Sequence, residues 1–259
     1  MKLSFLPLLQ VQRDLYALPR GMERFREYIK AMTDPETGDL ALPLVAMNPM
    51  GKDHVPALID EYRALDAEKI AEDAIATADV RRAEVGASAE REYRVGVVVS
   101  DDLKGGWTNR WASEFSHRLE SGAFLRRGFI TAILWTSEPA SAARVRTEVL
   151  TSIYRAEYLQ THPMPKTLRG MLEQEGYATA RAGCTTPALD ADDLAYTRTV
   201  IEPHLDAHDR ATVMACLFGD AAANALGYPP QGLSDRAGLA LALSDAQASL
   251  RTSSVPASS

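Results

Sequence analysis

Residues 100–110, SDDLKGGWTNR, bring together side chains that suit the binding of a small anion and the transfer of its protons. Asp101 and Asp102 are carboxylates, which can accept and return protons. Lys104 and Arg110 carry positive charge, and an arginine can grip a carboxylate or a phosphate through two parallel hydrogen bonds. The segment therefore predicts an anion site with an acid–base group beside it.

The two aspartates are predicted to have different partners. Successive side chains of an extended strand point to opposite sides, so at most one of Asp101 and Asp102 is expected to face a given ligand. The other is expected to pair with Lys104 or Arg110. The structural alternative stays open, because adjacent aspartates after a strand are also common in turns.

The remaining residues of this segment suit the walls of such a site. The two glycines let the chain turn sharply, and Trp107 offers an apolar wall. Thr108 or Asn109 can cap the helix that follows, whose free N–H groups attract anions. Trp107 and Trp111 are four residues apart, however, and side chains at that spacing can also form the core face of one helix.

A second segment with the same character is NPMGKDH at residues 48–54. Lys52 is predicted to bind the anion, and His54 to transfer protons, because histidine titrates near neutral pH. The alternative for His54 is a polar surface residue at a helix start. Gly51 and Lys52 do not form a phosphate loop, since the earlier glycine is missing and Asp53 stands where Ser or Thr is required.

Three short apolar segments are predicted to be the strands that position these residues. They lie at 40–48, 93–100 and 128–137, and helical apolar spacing separates them. This alternation predicts an α/β fold with a small three-stranded parallel sheet and crossover helices, although an antiparallel α+β arrangement stays open. Ligands of open α/β sheets bind beyond the carboxyl ends of the strands. The three segments at the strand ends, NPMGKDH, SDDLKGGWTNR and TSEP (residues 136–139), are therefore expected to converge on one pocket.

The second half of the chain shows helical patterns and no further strand. We therefore predict an α/β region at 1–162, a helical region at 163–250 packed on it, and a disordered tail at 251–259.

The overall composition excludes some classes of function. The net charge of −7 and the lack of a basic run argue against nucleic-acid binding. No uncharged apolar run reaches 18 residues, which predicts no membrane span. Cys184 and Cys216 are too few for a disulfide framework, and the N-terminus is a poor signal peptide, so we expect a cytoplasmic protein.

Signals for metal ligands or a nucleophile are weak. Glu114 and His117 share a helix face, as do His204 and His208, but neither pair completes a known ligand motif. The hydrolase and dinucleotide glycine motifs are absent. Cys184 would need a nearby base to act as a nucleophile.

These patterns favour an enzyme that acts on a small anionic molecule at the carboxyl ends of the strands. The first alternative is a non-catalytic binding or assembly protein, a possible homo-oligomer that uses its alanine-rich helices between residues 190 and 250. The second is a metal-dependent enzyme. The sequence assigns no cofactor, substrate or reaction type.

Overall fold

The computed structural model describes residues 1–84, 91–103, 108–185 and 189–253 of the 259 residues. The strands of this part of the chain are β1 (Lys2–Leu6), β2 (Glu92–Ser100) and β3 (Phe129–Trp135). Its helices are α1 (Leu8–Ala17), α2 (Met22–Met32), α3 (His54–Ala64), α4 (Ala67–Glu84), α5 (Arg110–Leu119), α6 (Gly122–Arg126), α7 (Ala142–Thr161), α8 (Leu168–Arg181), α9 (Ala191–Ile201), a 3-10 turn (Glu202–His204), α10 (Arg210–Phe218), α11 (Asp220–Ala225) and α12 (Ala237–Ser253).

The three strands form one parallel sheet with β2 in the centre. At the start of the register, Lys2 pairs with Glu92 and Arg94 pairs with Phe129. The second half of β2 is buried without interruption, as its valine run predicts for a central parallel strand. The predicted α/β class with a small parallel sheet is therefore confirmed.

The strand predicted at 40–48 is wrong. Leu40 forms an isolated antiparallel bridge with Thr33, and the rest of the segment is irregular. Leu44 and Met47 are fully buried, so the apolar character reflects burial in a loop and not in a strand. Pro43 lacks a backbone N–H, and short turn bonds such as Leu44 N to the carbonyl of Leu42 replace ladder bonds.

The third strand is β1, at residues that the sequence did not indicate as a strand. It is five residues long and Pro7 follows it directly, so its apolar pattern is too short to distinguish from a helix start. Leu6 at its end pairs with Gly96. A Cβ at Gly96 would lie 2.5 Å from Cδ1 of Leu8, so the glycine allows α1 to pack directly on β2.

A side chain of α1 continues the sheet where β1 stops. The amide of Gln12 donates to the carbonyl oxygen of Val99 at 2.9 Å, and the N–H of Val99 donates to Oε1 of Gln12 at 2.8 Å. Gln12 is completely buried. The glutamine therefore gives Val99 the two hydrogen bonds that another strand residue would give.

Two helix boundaries differ from what the sequence pattern indicates. Apolar residues from Asp53 to about Thr77 recur at helical spacing and predict one helix, but Asp66, whose φ of 54° interrupts the helical backbone, divides it into α3 and α4. Ser137 before Pro139 predicts the cap of the helix after β3, but the cap is Ser141, whose hydroxyl accepts from the N–H of Arg144.

The described residues divide into two compact units. The first comprises Met1–Ser113 and Ser121–Ile153 and contains the sheet, and the second comprises Glu114–Glu120 and Tyr154–Ser259 and is helical. The predicted boundary at residue 162 stays a prediction. Among the described residues, no helix is long and apolar enough to cross a membrane.

The alanine-rich residues of the second unit are used in its own packing. Ala222, Ala223 and Ala237 are completely buried, and Gly176 of α8 lies so close to α12 that a Cβ would be 2.5 Å from the carbonyl oxygen of Ala242. The small residues thus allow close contact between helices of one unit.

Candidate active site

Asp101, directly after β2, is the centre of a polar cluster. Its Oδ1 lies 2.8 Å from Nε2 of His54, and its Oδ2 accepts from Nδ2 of Asn48 at 3.0 Å. The N–H of Leu103 donates to Oδ1 at 3.3 Å. The side chain of Asp101 is only 1% exposed, so these donors replace the water that a carboxylate would otherwise bind.

The surroundings hold Asp101 in its ionised form. Burial raises the pKa of its carboxyl, but hydrogen bonds from His54 and Asn48 outweigh this effect, so that the pKa lies below its ordinary value. A carboxylate only accepts hydrogen bonds, so Nε2 of His54 carries the proton that points at Asp101.

His54 is the first residue of α3 and is the accessible partner of the pair. Its side chain is 21% exposed, against 1% for Asp101. In the described part of the chain, no residue forms a hydrogen bond with its Nδ1. With the proton of a neutral ring on Nε2, the lone pair of the imidazole lies on Nδ1.

Thr136, directly after β3, connects the two aspartates. Its Oγ1 lies 3.2 Å from Oδ1 of Asp101 and 3.0 Å from Oδ1 of Asp102, and it accepts from the N–H of Asp102 at 3.1 Å. Asp102 also accepts from the N–H of Ser137 at 2.8 Å and from its hydroxyl at 2.6 Å. Asp102 thus fixes the backbone that follows β3, while Asp101 faces His54.

Arg110 is bonded to carboxylates of the protein. Its Nη1 donates to Asp102 at 3.0 Å, its Nη2 donates to Glu138 at 2.9 Å, and its guanidinium lies 4.2 Å from the ring centre of Trp135. Glu138 also pairs with Arg144. The expectation that one aspartate pairs with Arg110 is confirmed, and the aspartate is Asp102. The role of Arg110 in anion binding stays a prediction.

The other predicted binding residues have separate places. Lys52 is exposed, two residues before His54, and no ion pair involves it among the described residues. Asn109 caps α5, because its Oδ1 accepts from the N–H of Ala112 at 3.0 Å. Thr108 is partly buried. Lys104 and Trp107 lie outside the described residues.

The structure brings together the three segments that were expected to converge. Asn48 and His54 of the first segment bond to Asp101 of the second, and Ser137 of the third bonds to Asp102. This holds although residues 41–48 form a loop and not the predicted strand, because the loop returns to the carboxyl edge of the sheet. The convergence was therefore predicted correctly from a partly wrong topology.

Sequence reasoning missed several contributors to the cluster. Asn48 lies inside the 48–54 segment, and an asparagine directly before a proline is a turn signal. Thr136 lies near the end of the strand predicted at 128–137 and Glu138 follows that strand, so both are polar residues at the predicted edge of the sheet. Nothing in the local sequence indicated Tyr16 of α1, whose hydroxyl bonds to the carbonyl oxygen of Asn48 at 2.5 Å.

A second cluster of titratable residues lies within the helical unit and is an ion-pair network. Glu175 is bound by Arg155 at 2.7 Å and by Arg118 at 2.8 Å, and Glu114 is bound by Arg118 and Arg236. The two arginines outweigh the burial of Glu175 and lower its pKa to about 2.

His117 lies beside this network. Burial, together with the charges of Arg155 and Arg118, lowers its pKa to about 3, so its imidazole is neutral at pH 7. Among the residues that the structure describes, no three His, Cys, Asp or Glu side chains group as ligands of a metal ion. His208 contacts the carbonyl oxygen of Asp206.

Comparisons with known protein families, with curated proteins and with solved structures give no match to this chain.

Proposed function

We propose that this protein is an enzyme that transfers protons on a small anionic molecule, with His54 as the acid–base residue and Asp101 as the group that orients it. The observation that carries the proposal is the 2.8 Å contact between Nε2 of His54 and Oδ1 of Asp101. A buried carboxylate that fixes the tautomer of an accessible imidazole is an arrangement that supports general base catalysis by the imidazole.

The chemistry follows from the two ring nitrogens. Nδ1 of His54 takes a proton from an O–H or C–H group of the substrate, and the electron pair of that bond stays on the substrate. The charge of Asp101 stabilises the imidazolium that forms, and Asp101 itself stays ionised. The same Nδ1–H then returns the proton to the product.

The positive charge near His54 supports an anionic substrate. Lys52 is exposed two residues before His54. An exposed ammonium beside the acid–base group can hold a carboxylate or phosphate as a point charge. The bonds of Arg110 to Asp102 and Glu138 assign it first to the support of this edge of the sheet.

The test begins with a screen for stabilisation of the folded protein by small carboxylates and phosphate esters, followed by NMR detection of turnover for each ligand found. His54→Gln should lower turnover by about 10²- to 10⁴-fold while ligand binding persists, which is the usual contribution of one acid–base group. His208→Gln is the matched control, because His208 is exposed and lies in the helical unit. Full turnover by His54→Gln would refute the proposal.

A further inference from the structure

The turn formed by Asn48–Gly51 supports the polar cluster. The N–H of Gly51 donates to the carbonyl oxygen of Asn48 at 2.9 Å, which closes the turn. Asn48 at its start bonds to Asp101 through its side chain, and His54 follows the turn by three residues. The position of this backbone therefore decides whether both donors reach Asp101.

Tyr16 of α1 bonds to the start of the turn. Its Oη donates to the carbonyl oxygen of Asn48 at 2.5 Å, and the tyrosine is 6% exposed. Tyr16 and Val55 both pack closely against Gly51, because a Cβ at this position would lie 2.9 Å from Oη of Tyr16 and 2.9 Å from Cγ2 of Val55. A side chain at position 51 would therefore separate the tyrosine from the turn.

Arg24 of α2 bonds to the end of the turn. Its Nη1 donates to the carbonyl oxygen of Gly51 at 3.2 Å, while its Nε and Nη2 donate to the carbonyl oxygen of Leu18 at 2.9 and 2.6 Å. Its guanidinium lies 5.2 Å from the ring centre of Tyr16. Arg24 is 7% exposed, and its hydrogen bonds in the described residues all go to backbone carbonyls.

We infer that Tyr16 and Arg24 are positioning residues of the Asp101–His54 pair, which act through the backbone of the Asn48–Gly51 turn. The importance of the inference for catalysis rests on the proposed function, but the geometric claim does not. Their hydrogen bonds to the turn end on its backbone carbonyls and both side chains are buried, so neither is expected to contact substrate.

The pKa of Asp101 is a direct measure of whether Tyr16 and Arg24 position the turn. Its pKa lies below the ordinary value because of bonds from His54 and Asn48, so any displacement of the turn weakens those bonds and raises the pKa. A residue that supports only the stability of the fold would leave this pKa unchanged.

The experiment is an NMR titration of the Asp101 carboxyl carbon in the full chain, assigned with Asp101→Asn. Tyr16→Phe should raise the pKa of Asp101 toward its ordinary value. Tyr28→Phe is the matched control and should leave that pKa unchanged, because the Tyr28 hydroxyl is also buried but bonds to the carbonyl oxygen of Leu44, at 3.4 Å. If Tyr16→Phe does not fold, Arg24→Lys replaces it in the same titration. This variant keeps the positive charge but loses the guanidinium N–H groups that donate to the carbonyls of Gly51 and Leu18.

An Asp101 pKa that is unchanged in Tyr16→Phe, or in Arg24→Lys where that variant replaces it, would overturn the inference. An equal rise in Tyr28→Phe would also overturn it, because the effect would then not be specific to the turn. The proposed function and the positioning role of Tyr16 and Arg24 are contradicted by different results. Full turnover by His54→Gln would remove the proposed function and leave the titration result intact, whereas an unchanged Asp101 pKa would leave the role of His54 intact.

Discussion

Asp101 and His54 are 47 positions apart in the chain, and their side chains meet at 2.8 Å. Asp101 directly follows the central strand. His54 is the first residue of α3, which an irregular loop precedes. The pair combines a buried charge with an accessible ring, and each of the two residues has a separate task in the proposed chemistry.

The first prediction concerns Asp101. Asp101→Asn should lower kcat by about 10²- to 10⁴-fold with little change in KM, because an amide cannot stabilise the imidazolium and can hold the ring in the wrong tautomer. Steady-state kinetics on the substrate found by screening measures this. Asp60→Asn, at an exposed carboxylate, should have the kinetics of the wild type. A larger effect on KM than on kcat would assign Asp101 to substrate binding instead.

The second prediction concerns Arg110. Arg110→Ala should lower the free energy of unfolding by about 3 kcal/mol, because it removes the ion-pair partner of a carboxylate that is buried. The side chain of Asp102 is 3% exposed. Chemical denaturation measures the change, and Arg13→Ala should cost less than about 1 kcal/mol, since its pair with Asp60 is open to solvent. Equal losses in both variants would contradict a structural role for Arg110.

The third prediction concerns Glu175. Glu175→Gln should cost about 3 to 5 kcal/mol of unfolding free energy at pH 7, because two arginines lose their buried partner. The folded pKa of about 2 lies below the ordinary value of 4.5, so this stability is fully present above pH 4.5 and is lost as the pH falls toward 2.

Denaturation curves at pH 7, 4 and 2.5 test this dependence. The difference between the wild type and Glu175→Gln should shrink at the acid end. The exposed Glu173→Gln serves as control and should follow the wild type throughout. A difference that is constant with pH would show that the carboxylate charge of Glu175 is not what stabilises the network.

The fourth prediction concerns His117. Its folded pKa of about 3 lies below the ordinary 6.5, so the unfolded chain takes up a proton that the folded chain does not. Stability should therefore fall as the pH decreases from 6.5 toward 3. His117→Gln should reduce this slope between pH 6.5 and 5, measured by chemical denaturation, and His208→Gln should not. An unchanged slope in His117→Gln would place the acid sensitivity elsewhere.

The sequence predicted the parts of the fold that have strong local patterns. The valine run of β2 and the β-branched run of β3 indicate buried strands, and the polar residues after them indicate the site. β1 was missed because five residues before a proline carry too little periodicity. The apolar run at 40–48 does not form the predicted strand. Such a run indicates that a segment is buried, but it does not indicate that the backbone of the segment pairs with a strand.

The partners within the site were harder to predict than its location. Asp101, His54 and Lys52 were named from residue type and neighbourhood alone. Arg110 shows the limit of this approach, since its bond to Glu138 joins residues 28 positions apart and depends on the packing after β3. Tyr16 and Arg24 donate to backbone carbonyls. Every residue has a backbone carbonyl, so the residue types along the chain do not indicate which carbonyl a side chain will bind.

The bond between Gln12 and Val99 makes one backbone amide sensitive to the docking of a helix. The Val99 N–H lies in a central strand, yet its acceptor is a side chain of α1 and not the backbone of a neighbouring strand. Exchange of this amide with solvent deuterium should therefore follow the opening of α1, even while the amides paired between β2 and β3 stay protected. A single exchange rate would then report the motion of the helix that also carries Tyr16.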